Sequence, residues 1–375
     1  MPRDDIPLSL SKTLINYSTS DNVPEEILPL VHSHWYHFSP LNPKWYGFLE
    51  ITITILGVLS VVGNFVVIWI LTRTKTLRSP ANSLLVNLAF SDFLMMFTLF
   101  PPMVYNCYWR TWVSGLISCE VYGVIGKLCE CVAIYSMVWI IIDRYKVIVK
   151  GISATPLNAK EEALRILFSW IFSAAWCLFP FFGWSRYFPE GNMTVCGTDY
   201  PTDDLFSRSH LYVYSVWVFF TPFLLILYYY TYIAKDLAVH EKQMLKQEKK
   251  MEIKILRTEE DQKTSAEIHL AKVALATVSL MAWCPYLIIN WSGMLRPLLV
   301  MPLFSVWGSL FAKASAVYNL IVDAISKSKY RRTFLKAMPF LACNTEACDK
   351  GEEMDTTTPL PEKAHENVKG PKQCI

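Results

Sequence analysis

The sequence predicts an all-α fold, a bundle of seven membrane-crossing helices, and three observations carry that expectation. Charged residues make up 18% of the 375 and hydrophobic ones 53%, where a soluble chain would carry about 25% charged. The apolar residues gather in seven blocks, roughly 49–72, 83–107, 119–142, 164–184, 210–234, 270–292 and 302–325, each able to cross about 30 Å of hydrocarbon. Basic residues collect in alternate short loops. In lipid a spanning backbone must satisfy its own polar groups, so blocks of this length are helices.

The basic loops set the orientation. Arg73, Lys75 and Arg78 follow the first block, and Arg144, Lys146 and Lys150 follow the third. Lys235, Lys242 and Lys246 follow the fifth, and Lys327, Lys329 and Arg331 the seventh. The opposite connections hold few: Arg110, then Arg186 and Arg208, then Arg296. The positive-inside rule places the N-terminus outside and the C-terminus inside. Trp45, Tyr46, Trp109, Trp112, Trp184 and Tyr187 stand at block ends, where aromatic rings suit the headgroup zone.

The organisation is then an outer tail over 1–48, a bundle over 49–326, an amphipathic inner segment over 327–340 (within KSKYRRTFLKAMPF), and a tail over 341–375 too poor in apolar residues to fold. The first 40 residues show no basic start followed by an apolar run, so no cleaved signal peptide is expected. The stretch HEKQMLKQEKKMEIKILRTEEDQK interleaves Lys and Glu, with Glu259 and Lys263 at i,i+4 and Lys249 and Glu252 at i,i+3. It reads as a solvated extension of the fifth and sixth helices or as a docking surface.

Composition also excludes. A net charge of +3 is too small to argue for nucleic acid. Ten scattered cysteines do not make a disulfide scaffold. Cys129 and Cys131 lack zinc-site spacing, so no metal is expected. No internal repeat or paired broken helices suggest a transporter.

Lys313 is the most informative residue. It lies near the middle of the last block, in SLFAKASAVYNLIVDAIS, too deep to snorkel to either surface. A charge there costs a few kcal/mol at least, and an intramembrane ionisable residue points to function. By position alone it faces a water-filled cavity, pairs with a carboxylate, or condenses with an aldehyde, as a desolvated lysine can. Lys127 and Glu130 lie inside the third block. At i,i+3 they can pair with each other, or they can line a central pocket.

The segment around Lys313, with FAK and then Asn319, resembles the retinal-attachment segment of animal opsins. Asp143-Arg144-Tyr145 at the inner end of the third helix, Asp92 in NLAFSD, and Trp283-Cys284-Pro285-Tyr286 in the sixth extend that resemblance over nearly 300 residues, to the seven-transmembrane bundle of the rhodopsin-like receptor type. LRSPANSLLVNLAFSDFLMMF, DRYKVIVKG, GWSRYFPEGNMTVCGTDY and AVHEKQM resemble arthropod visual opsins of the long- or middle-wavelength group.

That resemblance implies a visual pigment rather than an enzyme: a light-activated receptor carrying 11-cis-retinal as a Schiff base on Lys313, with Tyr122, Gly126, Trp283 and Tyr286 around it. It implies a Gq-class G protein, arrestin and a receptor kinase as partners, the lipid bilayer as solvent, and a photoreceptor (rhabdomere) plasma membrane as location. The family's third-helix counterion position, three residues after Cys119, is Tyr122 here. The other family site, six residues before the second outer loop's cysteine, is Glu190, which implies Glu190 as counterion. Cys119 and Cys196 match the family's disulfide, which would close a loop of about 80 residues and contribute about 4 kcal/mol by chain entropy. Arg144 matches an arginine switch beside Asp143 and Tyr145, with Tyr230 as the tyrosine that receives it. The sequons Asn16-Tyr17-Ser18 and Asn192-Met193-Thr194 fall on the outer face and predict glycosylation at Asn16 and Asn192.

Three features depart from the family. Its Asn-Pro-x-x-Tyr is Asn319-Leu320-Ile321-Val322-Asp323, which restores a regular helix and puts signalling in question. The sixth helix is two residues short between Leu280 and Met281, a rotation of about 200°, so either the helix bends to compensate or Glu267 and Lys272 face differently from their family equivalents. Lys127 and Glu130 replace small or apolar residues, so that they pair with each other, line the retinal pocket and tune its colour, or let Glu130 compete as counterion. A retinal-binding photoisomerase or non-signalling opsin is therefore the runner-up, and a peptide- or amine-gated receptor a third reading.

Overall fold

Polar caps, and not the edges of the apolar blocks, set where the helices begin. In the computed structural model, which describes residues 18–150, 157–251, 282–295 and 300–326, Asn42 Oδ1 accepts from the Lys44 N–H and Pro43 opens α1 (Pro43–Arg73). Ser79 and Pro80 do the same for α2 (Pro80–Trp109). α3 (Leu116–Val149) follows Gly115, whose φ of 86° demands a glycine. Asn158 caps α4 (Ala159–Leu178). Asp204 caps α5, which joins three consecutive segments: an α segment Leu205–Tyr214, a π segment Ser215–Phe220 and a second α segment Thr221–Met251. Pro222 has no N–H to give the preceding turn, and the π segment lies where that bond is lost. Two further helices follow, α6 (Cys284–Leu295) and α7 (Pro302–Ser326).

Among the described residues, five helices are long and apolar enough to cross a membrane, the third being the most deeply enclosed. α3 packs against α2, α4 and α5, and α7 against α1, α2 and α6. α7 continues without a break through 319–323, as the missing proline predicts. Asn16, the Lys/Glu stretch beyond 251 with Glu252, Glu259 and Lys263, the Leu280–Met281 junction with Glu267 and Lys272, the segment 327–340 and the tail 341–375 lie outside the described residues.

Two features at one end of the bundle go beyond the expected helices. Tyr187–Glu190 (β1) and Val195–Thr198 (β2) form an antiparallel hairpin, pairing Tyr187 with Thr198 and Glu190 with Val195. Residues 18–42 are folded rather than trailing. Ile27 and Trp35 bury completely in the same apolar cluster as Phe188, Cys196 and Tyr200. His34 Nε2 lies 2.9 Å from the Val300 carbonyl, fastening the segment beside the start of α7.

Candidate ligand cavity

Lys313 is buried in α7, and its Nζ donates to Ser309 Oγ, one turn earlier, at 2.6 Å. The same ammonium lies 5.8 Å from the centre of the Tyr122 ring on α3, within cation–π range. Helical spacing brings Ser309 to Lys313, and the α3 face brings Tyr122. Two carboxylates lie within electrostatic reach of the ammonium, Glu130 on α3 and Glu190 in the hairpin.

The hairpin supplies one. Glu190 ends β1 with 1% of its surface exposed, and Ser305 Oγ on α7 lies 3.4 Å from its Oε2. Tyr200 OH holds Ser305 Oγ at 2.8 Å, so a hydroxyl pair supports the carboxylate. Gly197 on β2 leaves the space that the carboxylate fills, and a Cβ there would overlap it. Burial pushes the Glu190 carboxyl up to about 7, a rise opposed by the Lys313 cation and by the hydroxyls of Tyr200 and Ser305. The Cys119–Cys196 disulfide, with Cα atoms 5.4 Å apart, ties β2 to the first turn of α3 and holds the hairpin in place.

Lys127 and Glu130 face the same cavity. The prospect that they pair with each other is corrected: among the described residues no ion pair joins them. Lys127 Nζ instead donates to Thr198 Oγ1 at 3.0 Å and sits 3.9 Å above the Tyr214 ring of α5. Tyr214 OH is in turn 3.0 Å from Cys131 Sγ. These contacts join residues 71 and 83 positions apart, which no local spacing reveals.

All six residues expected around a ligand (Gly126, Tyr122, Glu190, Trp283, Tyr286 and Lys313) line this one cavity. The space among its walls is about 830 Å³, counting the solvent at its open mouth. Ser309, Thr198 and Tyr214 also line it and were not foreseen. Ser309 had a signal, a hydroxyl at i−4 from a buried lysine; the other two had none.

Away from the cavity, Asp143 is buried and Arg144 half-buried on α3. Tyr145 packs against Tyr229 and Tyr232 of α5, at 5.1 and 6.2 Å between ring centres, while Tyr230 is half-buried beside them. The Asn192 sequon needs correction. Asn192 and Thr194 are fully buried in the hairpin turn, Thr194 Oγ1 donates to Asn192 Oδ1 at 2.7 Å, and Tyr46 OH donates to the Asn192 carbonyl. The turn points inward and leaves a glycan no room.

This arrangement, a mid-bundle lysine under a disulfide-held hairpin, belongs to a known class. The family described as 7 transmembrane receptor (rhodopsin family) matches residues 63–322, and the chain belongs to it; it is a multi-pass membrane protein. Among its relatives are opsins of arthropods. It is 52% identical over 367 residues to "Rhodopsin" of Procambarus clarkii, covering 97% of each chain. It is 54% identical over 349 residues to "Rhodopsin" of Camponotus atriceps, 92% of each, and 53% identical over 336 residues to "Opsin-1" of Schistocerca gregaria, 89% of this chain and 88% of that one. The crystal structure of squid rhodopsin superposes with a TM-score of 0.73 at 33% identity, over 83% of this chain and 90% of that one. The chain is thus a light-sensing receptor of the G-protein-coupled class and not an enzyme.

Proposed function

We propose that the cavity holds 11-cis-retinal as a Schiff base on Lys313, with Glu190 as counterion, in a visual pigment that signals through a Gq-class G protein. Lys313 carries this reading: a buried amine, bonded among the described residues to a hydroxyl and a ring face, opens into a cavity walled by Tyr122, Trp283 and Tyr286. These residues fit the group, which needs an amine and apolar aromatic walls along a slender chain. Bound there, retinal supplies an aldehyde carbon for the amine and a polyene whose shape changes on absorbing light. The chain does the rest. Glu190 holds a negative charge in the roof, Ser309 orients the lysine nitrogen, and the hairpin excludes water. Trp283, buried in the wall with its indole N–H unpartnered among the described residues, is placed to feel a change in ligand shape.

Asp143, Arg144, Tyr145 and Tyr230 stand at the end away from the hairpin and would meet the G protein, with arrestin and a receptor kinase acting at the same face. The N-terminus then lies outside and carries any glycan at Asn16. The location that fits is the rhabdomere plasma membrane of a photoreceptor.

Retinal added in darkness to the purified protein is expected to give a visible band that Lys313→Ala lacks. Borohydride should trap retinal on the peptide containing Lys313. A band that survives Lys313→Ala overturns the reading. A second reading, a retinal-binding photoisomerase or non-signalling opsin, is favoured by the unbroken α7 across 319–323. Light-dependent nucleotide exchange on a Gq-class protein decides between them.

A further inference from the structure

The cavity contains a second lysine, and it is held as firmly as the first. Lys127 Nζ is fixed by Thr198 Oγ1 at 3.0 Å and by the Tyr214 ring at 3.9 Å. Lys313 Nζ is fixed by Ser309 Oγ at 2.6 Å and by the Tyr122 ring at 5.8 Å. Among the described residues the two share no hydrogen-bond partner and no ring. Tyr122 and Lys127 are five residues apart, about 7.5 Å along the α3 axis, and their side chains meet α7 and α5 respectively. One ammonium marks the α7 wall of the cavity and the other the wall between β2 and α5.

A conjugated cation anchored at a lysine nitrogen carries its positive charge near that nitrogen in the dark and displaces it along the chain when it absorbs a photon. A fixed cation away from the anchoring nitrogen opposes that displacement. It raises the excited state more than the ground state, and the absorption moves to shorter wavelength. We propose that Lys127 is a colour-setting residue of this cavity, a fixed positive charge on the wall between β2 and α5 that shifts the dark absorption band to the blue. The proposal rests on retinal being bound at Lys313.

Thr198 and Tyr214 are part of the device. A free lysine in an apolar cavity would turn away or lose its proton. A hydroxyl and a ring face together keep the ammonium in one place without cancelling its charge, as a carboxylate in ion-pair contact would. Glu130 shares the cavity and lies within electrostatic reach of both lysines, but among the described residues it makes no ion pair with Lys127, so it offsets that charge only in part.

The test compares dark absorption maxima of the retinal-loaded protein with Lys127→Met, Lys127→Arg and Thr198→Val. The expected shift for Lys127→Met is on the order of 10 nm to longer wavelength, the scale of a unit charge acting through an effective dielectric of about 20. Lys127→Arg keeps the charge and should stay close to the parent maximum. Thr198→Val releases the ammonium, so its band should broaden. Melting temperatures of the retinal-free proteins establish that each variant is folded. A Lys127→Met maximum equal to the parent's, or moved to shorter wavelength, overturns the proposal while leaving retinal binding intact. A parent protein with no band at all overturns the reading beneath it instead.

Discussion

The hairpin end of the bundle and its deep half bury polar groups by different means. At the hairpin end single side-chain bonds such as Tyr200–Ser305 are backed by covalent, ionic and strand-like connections: the Cys119–Cys196 bridge, the β1–β2 ladder, and the Arg186–Asp199 ion pair at 2.5 Å. In the deep half they are single side-chain bonds between helices. Asn64 Nδ2 on α1 donates to the Ala316 carbonyl on α7 at 3.2 Å, and Asn319 Nδ2 on α7 donates to Asp92 on α2 at 2.8 Å. Asn87 on α2 reaches Ser136 on α3 at 2.8 Å, and Trp170 on α4 reaches Asn87 at 2.9 Å. The magnitudes separate the two. Interhelical hydrogen bonds in membranes average about 0.6 kcal/mol, whereas a disulfide closing a loop of this size contributes about 4 kcal/mol. The roof is therefore fixed, and the deep half can exchange partners at small cost, which suits a bistable element.

The largest effect should come from cutting the roof. Cys119→Ser is expected to lower stability by about 4 kcal/mol and to free β2 from α3. Thermal unfolding, with the dark absorption of the retinal-loaded protein alongside, measures both. A variant that melts within a degree or two of the parent would remove the claim that the bridge holds the roof.

Glu190 sharpens the same contrast through pH. Its carboxyl is raised from 4.5 to about 7 in the folded protein. Between those values the folded state binds the proton that the unfolded state has released. The stability this group contributes is complete below about 4.5 and lost as pH climbs to about 7, a difference of about 3 kcal/mol. Without retinal, Glu190→Gln should match the parent at pH 4 and melt at a higher temperature at pH 8. The same melting curves at both pH values would mean that the buried carboxyl is not strained.

Asp92→Ala probes the deep half. It leaves Asn319 Nδ2 without its acceptor and should cost about 1 kcal/mol. Because Asp92 is not among the residues lining the cavity, the dark absorption maximum should stay where it is, while light-dependent signalling changes. A spectral shift as large as that of a cavity variant would erase the distinction between the two halves.

How far the sequence could foretell all this follows the same division. The helices were legible because lipid leaves a spanning backbone no alternative, and α7 ran unbroken where the proline was missing. Their ends were not, since Asn42, Ser79 and Asn158 prolong them beyond the apolar blocks. Lys313, Lys127 and Glu130 were legible as charges in apolar runs. What they touch was not: Thr198 and Tyr214 meet Lys127 only after α3, the hairpin and α5 assemble. The four-residue strands around Pro189 read as loop, and the N-terminal residues hide one deeply buried tryptophan, Trp35, among polar neighbours. Tyr122 was legible as a vacancy for a carboxylate, and Glu190 was chosen by family spacing; its burial, hydroxyl partners and the room left by Gly197 needed coordinates.

The smallest change in readout is expected at the hairpin turn, where the fold overrides a local motif. Asn192-Met193-Thr194 has the glycosylation pattern, yet both polar side chains are fully buried and bonded to each other. Thr194→Ala destroys the sequon and removes that bond together with the one between Thr194 and the Cys107 thiol, at about 1 kcal/mol each. If the turn is enclosed as described, the variant and the parent should migrate identically on a denaturing gel, before and after glycosidase treatment at that site. A faster-migrating Thr194→Ala protein would mean that Asn192 carries a glycan. Then the turn could not sit beneath the N-terminal segment, and the roof would be more open than the deep half it is contrasted with.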